Sequence, residues 1–247
     1  MLVPGPKARA APGITEVQFQ FGRFDKPVFN GGGKRNAVVL TLQYAGGWRF
    51  GDIFGFADFQ NFDDGDSDLY GELYFGFNYG KMTGRKLSWG PIRDIGLRMG
   101  VNWDVQKNIR KLLPGLRLSW KVPGFRYLNT DFYAYLGVSG GLASGGIPKQ
   151  SDSWNGDINW AAPFKIGQAR FSFEGHMEYL GNRRNEIGRR VSWWILGQPQ
   201  FRFDLGNTLF GVPNKLFAGI EWQFWLNKLG DPTTDEQVVQ ALVVLRL

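Results

Sequence analysis

The stretch Asp94-Ile95-Gly96-Leu97-Arg98-Met99-Gly100-Val101-Asn102-Trp103-Asp104 decides how the rest of the chain is read. Ile95, Leu97, Met99, Val101 and Trp103 take every second place, with Asp94, Arg98, Asn102 and Asp104 between them. Successive side chains of a strand point to opposite faces, so this segment has one apolar face and one polar face. Its length matches the roughly 9–11 residues of a tilted membrane-crossing strand, whereas soluble strands stop nearer about 5–6.

The same period of two recurs on both sides. Val17, Phe19 and Phe21 alternate with Gln18 and Gln20; Leu40, Leu42 and Tyr44 alternate with Thr41 and Gln43. Leu69, Leu73, Phe75 and Phe77 oppose Tyr70, Glu72, Tyr74 and Asn78, and Leu116, Leu118 and Trp120 oppose Arg117, Ser119 and Lys121. Phe171, Phe173, Met177 and Tyr179 oppose Arg170, Ser172, Glu174, His176 and Glu178. About twelve strands are expected, near 14–24, 35–45, 48–60, 68–79, 93–104, 114–122, 130–139, 153–164, 168–180, 190–203, 215–226 and 236–247. An even count suits a single-chain outer-membrane barrel.

A soluble sandwich also alternates, with its apolar face inside. The long apolar faces and the aromatics near segment ends (Trp48, Trp103, Trp120, Tyr179, Trp222) favour lipid contact and interfacial girdles. The expected fold is therefore all-β: a single closed antiparallel transmembrane β-barrel over residues 14–247, in a bacterial outer membrane. Residues 1–13, with Lys7, Arg9 and the small-residue run Ala8-Arg9-Ala10-Ala11, read as a leader remnant or a disordered tail.

Composition agrees and narrows function. Aromatics make up 16% of the 247 residues and Gly 35 of them, while Cys is absent and His occurs once. Without Cys there is no disulfide framework, thiolate metal site or thiol nucleophile. The net charge of +7 would suit a nucleic-acid polymer, but Lys and Arg are dispersed with no stripe, so no such partner is expected. A basic lumen and basic loops explain that charge equally well. No apolar run reaches the roughly 18 residues of a spanning helix.

Three stretches resemble the Tsx/OmpK family of nucleoside-specific outer-membrane channel proteins. They are Phe50-Gly-Asp-Ile-Phe-Gly-Phe-Ala-Asp58, Leu87-Ser-Trp-Gly-Pro-Ile-Arg-Asp94 leading to Asn102, and Gly219-Ile-Glu-Trp-Gln-Phe-Trp-Leu-Asn227. The resemblance touches about half the chain and implies a twelve-stranded barrel, a narrow nucleoside channel and, in some members, a receptor for bacteriophage or colicin. The chain departs from the pattern in ending Val243-Val244-Leu245-Arg246-Leu247, without a terminal aromatic residue.

In a barrel with lipid outside, the polar parity points into the lumen. That rule places Glu72, Tyr74, Arg98, Asn102, Tyr133, Tyr135, Glu174, His176, Glu178, Glu221 and Trp225 inside, together with Arg117, Gln198, Arg202 and Gln223. Asp52 and Asp58 share parity with Phe54 and Phe56, so either that strand is aromatic inside or a bulge near Gly51 or Gly55 switches faces. The resemblance implies the first, with Phe54, Phe56 and Asp58 lining the lumen.

Aromatic faces stack on a nucleobase and carboxyl or amide groups bind a sugar, so passive uptake of small solutes, nucleosides foremost, is the expected function. The alternatives are a plugged barrel whose loops serve as an adhesin or phage receptor, and an outer-membrane lipid hydrolase. No Ser adjoins His176 in a catalytic motif, so no enzyme and no catalytic residue is expected. Neither a cofactor nor a metal is expected. The acidic loop Asp63-Asp64-Gly65-Asp66 lacks a downstream Glu at calcium-loop spacing, and Gly31-Gly32-Gly33-Lys34 lacks the full phosphate-loop pattern. Lipid, lipopolysaccharide and small solutes are the expected partners.

Overall fold

The structure is a computed structural model and describes residues 13–87 and 89–247. The expectation for residues 1–12, and Ser88 of the second family-like stretch, lie outside the described residues.

Twelve antiparallel strands follow one another around a closed ring. They are β1 (Ile14–Asp25), β2 (Lys34–Gly47), β3 (Asp52–Phe62), β4 (Ser67–Asn78), β5 (Ile92–Asp104) and β6 (Ile109–Trp120). The second half comprises β7 (Tyr127–Gly137), β8 (Ser153–Ile166), β9 (Ala169–Leu180), β10 (Trp194–Gly197 and Gln200–Asp204), β11 (Leu216–Leu226) and β12 (Glu236–Arg246). Pairing of β1 with β12, from Glu16 opposite Arg246 to Phe21 opposite Ala241, closes the ring and leaves no free edge.

The molecule is inside-out relative to a soluble protein. Leu97, Phe132 and Phe21 are 58%, 54% and 54% exposed, while Arg98, Glu16 and Glu221 are each 2% exposed. Apolar side chains on the outer face and charged ones within are what a hydrocarbon solvent selects, as is a wall that closes on itself. Two stacked sheets would show the reverse burial.

Several boundaries differ from expectation for local reasons. Strand β6 begins at Ile109 and runs through Pro114, a position where the β6–β7 pairing is interrupted, so proline loses no ladder bond to β7. Gly46 and Gly47 belong to β2, and the turn falls at Trp48–Gly51. Strand β10 is interrupted at Gln198-Pro199, where Gly175 of β9 has φ +149°; a Cβ there would sit 2.5 Å from the Gln198 carbonyl oxygen. Glycine admits both the close approach and the backbone angle. Arg190–Val191 pairs with Arg183–Arg184 in a small loop hairpin instead of extending β10.

The connections near 81–92 and 204–214, long for periplasmic turns, contain short helices: α1 (Tyr79–Thr83) and α2 (Leu205–Phe210). Asp204 caps α2 by accepting the Asn207 N–H at 2.9 Å. Both ends of the wall, Ile14 and Arg246, lie on the rim that carries these helices, the periplasmic rim in an outer membrane. At the opposite rim the acidic loop is tied down: Lys26 Nζ donates to Asp64 at 2.6 Å and to Asp66, and Arg35 Nε donates to Asp64 at 2.9 Å. The hydrogen bond from the Lys26 ammonium holds the Asp64 carboxyl below its ordinary value.

Candidate functional site

The polar face lines the lumen, and strand pairing shows how its side chains are grouped. Thr41 of β2 donates to Asp58 at 2.6 Å, and the β2–β3 and β3–β4 registers run without a break. Phe54, Phe56 and Asp58 therefore face inward, and no bulge switches the strand. Phe54 and Phe56 lie 6.1 Å apart and Phe56 lies 6.1 Å from Tyr70, forming an aromatic wall on β3 and β4. Beside it Glu72 accepts from Tyr74 at 2.9 Å, from Asn102 at 2.8 Å and from the Tyr70 hydroxyl.

Strands β9 and β10 lie six places round the ring, on the opposite side. His176 there contacts Asp157 of β8 through Nδ1 at 3.0 Å and Gln198 of β10 through Nε2 at 2.8 Å. Glu178 accepts from Asn155 at 2.8 Å and from the Trp194 indole at 3.3 Å. Water reaches these two walls: the His176 side chain is 32% exposed although it lies deep inside the ring. Phe54, Phe56, Asp58, Tyr70, Glu72, Glu174 and Glu178 are likewise half-buried.

The two remaining sides are filled. On one, Arg117 forms a two-pronged pair with Asp131 at 2.5 and 2.6 Å, and Arg98 and Arg117 both reach Asp52. Arg98 also lies over the Tyr74 ring, whose centroid is 5.6 Å from that of Tyr133. On the other, Glu16 binds Arg202 at 3.1 Å and Arg246 at 2.5 Å, while Glu221 accepts from three glutamine amides, those of Gln20, Gln200 and Gln240. Side chains projecting from these two sides confine the lumen to the space between the aromatic wall and the His176 wall, called the slit below.

That slit is acidic. Arg98, Arg117, Arg202 and Arg246 are matched by Glu16, Asp52, Asp131 and Glu174. Asp58, Glu72, Glu178 and Glu221 have no lysine or arginine partner among the described residues, and Asp157 has only His176. The surplus positive charge of the chain therefore sits at the rims, which decides against a basic lumen.

Towards the outer mouth the lumen turns apolar. Leu113, Tyr133, Tyr135, Leu180 and Trp194 form a buried cluster with Tyr74, Leu196 and Trp225 packed against it. The Arg183 guanidinium covers Trp194 at 4.2 Å and Lys111 covers Tyr135 at 5.0 Å, both within cation–π reach.

Of the residues singled out in the sequence, the structure thus gathers Glu72, Tyr74 and Asn102 in one network, with Arg98 and Tyr133 beside it. It sets Phe54, Phe56 and Asp58 across from Glu174, His176 and Glu178. Tyr135 and Trp225 belong to the outer cluster, and Glu221 to the glutamine network. Tyr70, Asp157 and Asn159 stand beside them, and the alternation Asn155-Gly-Asp157-Ile-Asn159 marks that face of β8. Among the described residues no Ser hydroxyl bonds to His176, whose nitrogens are taken by Asp157 and Gln198.

Comparison with solved structures places this architecture. The NanC porin superposes with a TM-score of 0.53 at 14% identity, covering 94% of this chain and all of that one. An outer-membrane channel from Pseudomonas putida gives 0.49 at 10% identity with both chains fully covered, and the KdgM porin 0.47 at 8% identity over 93% and 98%. The chain has the fold of an outer-membrane porin. At these identities the likeness shows the fold alone. No family model matches the chain, and no curated protein matches it.

Proposed function

We propose that the barrel is a passive channel for small neutral or cationic solutes that carry a flat ring and hydroxyl groups, nucleosides being the class that fits best. The observation that carries this reading is the slit itself: Phe54, Phe56 and Tyr70 on one wall and Asp157, His176 and Glu178 on the other, all reached by water. A base stacked on an aromatic face gains about 1–3 kcal/mol, and hydroxyl groups find carboxyl and amide acceptors opposite. A transported solute needs several such weak sites, favourable to reach and easy to leave. The family-like stretch Phe50–Asp58 supplies the aromatic wall, in keeping with the Tsx/OmpK resemblance.

Where they ionise, carboxyl groups without a basic partner give the slit a negative field, which attracts cations and repels anions. The direct test is planar-bilayer recording of the purified barrel. The expected result is a small current that is interrupted by adenosine or thymidine, with a reversal potential favouring potassium over chloride.

A second reading follows from the outer cluster, which joins Tyr74 of β4 to Trp225 of β11 across the mouth. If that cluster seals the lumen, the barrel is a closed scaffold whose loops offer a docking surface for a phage or colicin. The same recording then shows no current with or without nucleoside.

A further inference from the structure

The inner rim carries a feature that solute passage does not use. The segments 48–51, 79–94, 120–126, 165–170 and 204–215 contain ten lysines and arginines but only two acids, Asp94 and Asp204. Asp204 caps α2, and Asp94 accepts the Gly80 N–H at 3.0 Å, which ties α1 to β5. Lys81 fastens the same helix to the β2–β3 turn by donating to the Gly51 carbonyl at 2.5 Å.

Beneath α1, on the outer face of the wall, lies an apolar recess of about 330 Å³. Phe77 of β4, Ile95 and Leu97 of β5, Leu116 and Leu118 of β6 and Met82 of α1 line it. Those strand residues have outward parity, so the recess opens to lipid and not to the lumen. Arg85 and Lys86 follow α1 directly. Arg93 sits at a register shift between Ile92 and Asp94 that adds one residue to β5, and it is exposed. None of the three has an acidic partner among the described residues.

We infer that this recess and its three cations form a binding site for an anionic phospholipid of the inner leaflet. An acyl chain fills the recess, and the phosphate lies at Arg85, Lys86 and Arg93. The recess alone would accept any acyl chain. The unpaired cations at its head choose the negatively charged headgroup, because attraction between basic side chains and anionic lipid is strong within a Debye length. The hydrogen bonds that fix α1 make the recess a preformed cleft, which reduces the ordering cost of binding.

Native mass spectrometry of the intact barrel, with dioleoylphosphatidylglycerol and dioleoylphosphatidylcholine offered at equal concentration, tests the site. The expected result is one phosphatidylglycerol retained in preference. The triple substitution Arg85→Ala, Lys86→Ala and Arg93→Ala reduces that preference by about a hundred-fold, the product of about five-fold for each basic residue near an anionic surface. A control triple of Arg126→Ala, Lys165→Ala and Arg170→Ala leaves it intact, and Leu97→Trp, which fills the recess, weakens retention of both lipids. All variants are scored only after gel mobility shows a folded barrel. Equal loss in the control triple would mean charge attraction to the rim as a whole and overturns the site. An unchanged preference in the first triple overturns it too, and displacement by sn-glycerol 3-phosphate overturns the role of the recess.

Discussion

At the scale of single residues, what a side chain does is set by the side of the wall it faces. Phe132 stands midway along β7 and is 54% exposed, so it meets lipid. Phe132→Arg should cost about 2–4 kcal/mol of folding free energy in bilayers, as a basic residue does at the midplane. Urea titration into liposomes measures it; a change within a few tenths would mean that this face meets water. Phe56 tests the aromatic wall. Phe56→Ala is expected to weaken nucleoside block by at least about five-fold, the equivalent of one lost stacking contact, while leaving ion flow intact. Asp58 and Glu72 test the field: Asp58→Asn with Glu72→Gln moves the reversal potential toward that of a non-selective pore. An unaltered potential would place the selective charges elsewhere.

At the scale of elements, the loops and the interrupted strand show what sequence reading reaches and where it stops. The twelve strands were legible because lipid outside and water inside impose a period of two that Ile95 to Trp103 or Phe171 to Tyr179 displays directly. Strand ends were less so. The start of β6 at Ile109 depended on a pairing gap opposite Pro114, and the break in β10 depended on Gly175 in a neighbouring strand. In the site, the inward parity of Arg98, Asn102 and His176 could be read off alternation. The acids left without a base could not, because Asp52 finds Arg98 and Arg117 two and three strands away.

The outer loops give a pH prediction. Glu186, between β9 and β10, accepts the N–H groups of Leu142 at 2.7 Å and Lys149 at 2.9 Å, and these two backbone bonds hold its carboxyl below the ordinary glutamate value. A depressed folded-state pKa means that the stabilisation is present above the ordinary value and is lost as pH falls through the lowered one. Hydrogen exchange at Leu142 and Lys149 should stay slow through neutral and mildly acid pH and quicken in stronger acid. Glu186→Ala should make it fast throughout; slow exchange in that variant would show that the two loops are held by other contacts.

At the scale of the whole molecule, charge is sorted by compartment. Acid surplus lies in the lumen, base surplus on the inner rim, and the outer rim is close to balance, so a chain of net charge +7 encloses a lumen with more acids than bases. Because the chain contains no cysteine, the sorting can be probed with single cysteines and no background. Asn159→Cys and Gln198→Cys place a thiol in the slit, and Phe132→Cys places one on the outer face. The most direct measurement compares their modification in liposomes by a cationic trimethylammonium-ethyl and an anionic sulfonatoethyl methanethiosulfonate. The slit thiols should react, faster with the cationic reagent, and the Phe132 position should not react with either. Reaction at Phe132 with silence in the slit, or faster reaction with the anionic reagent, would contradict the account.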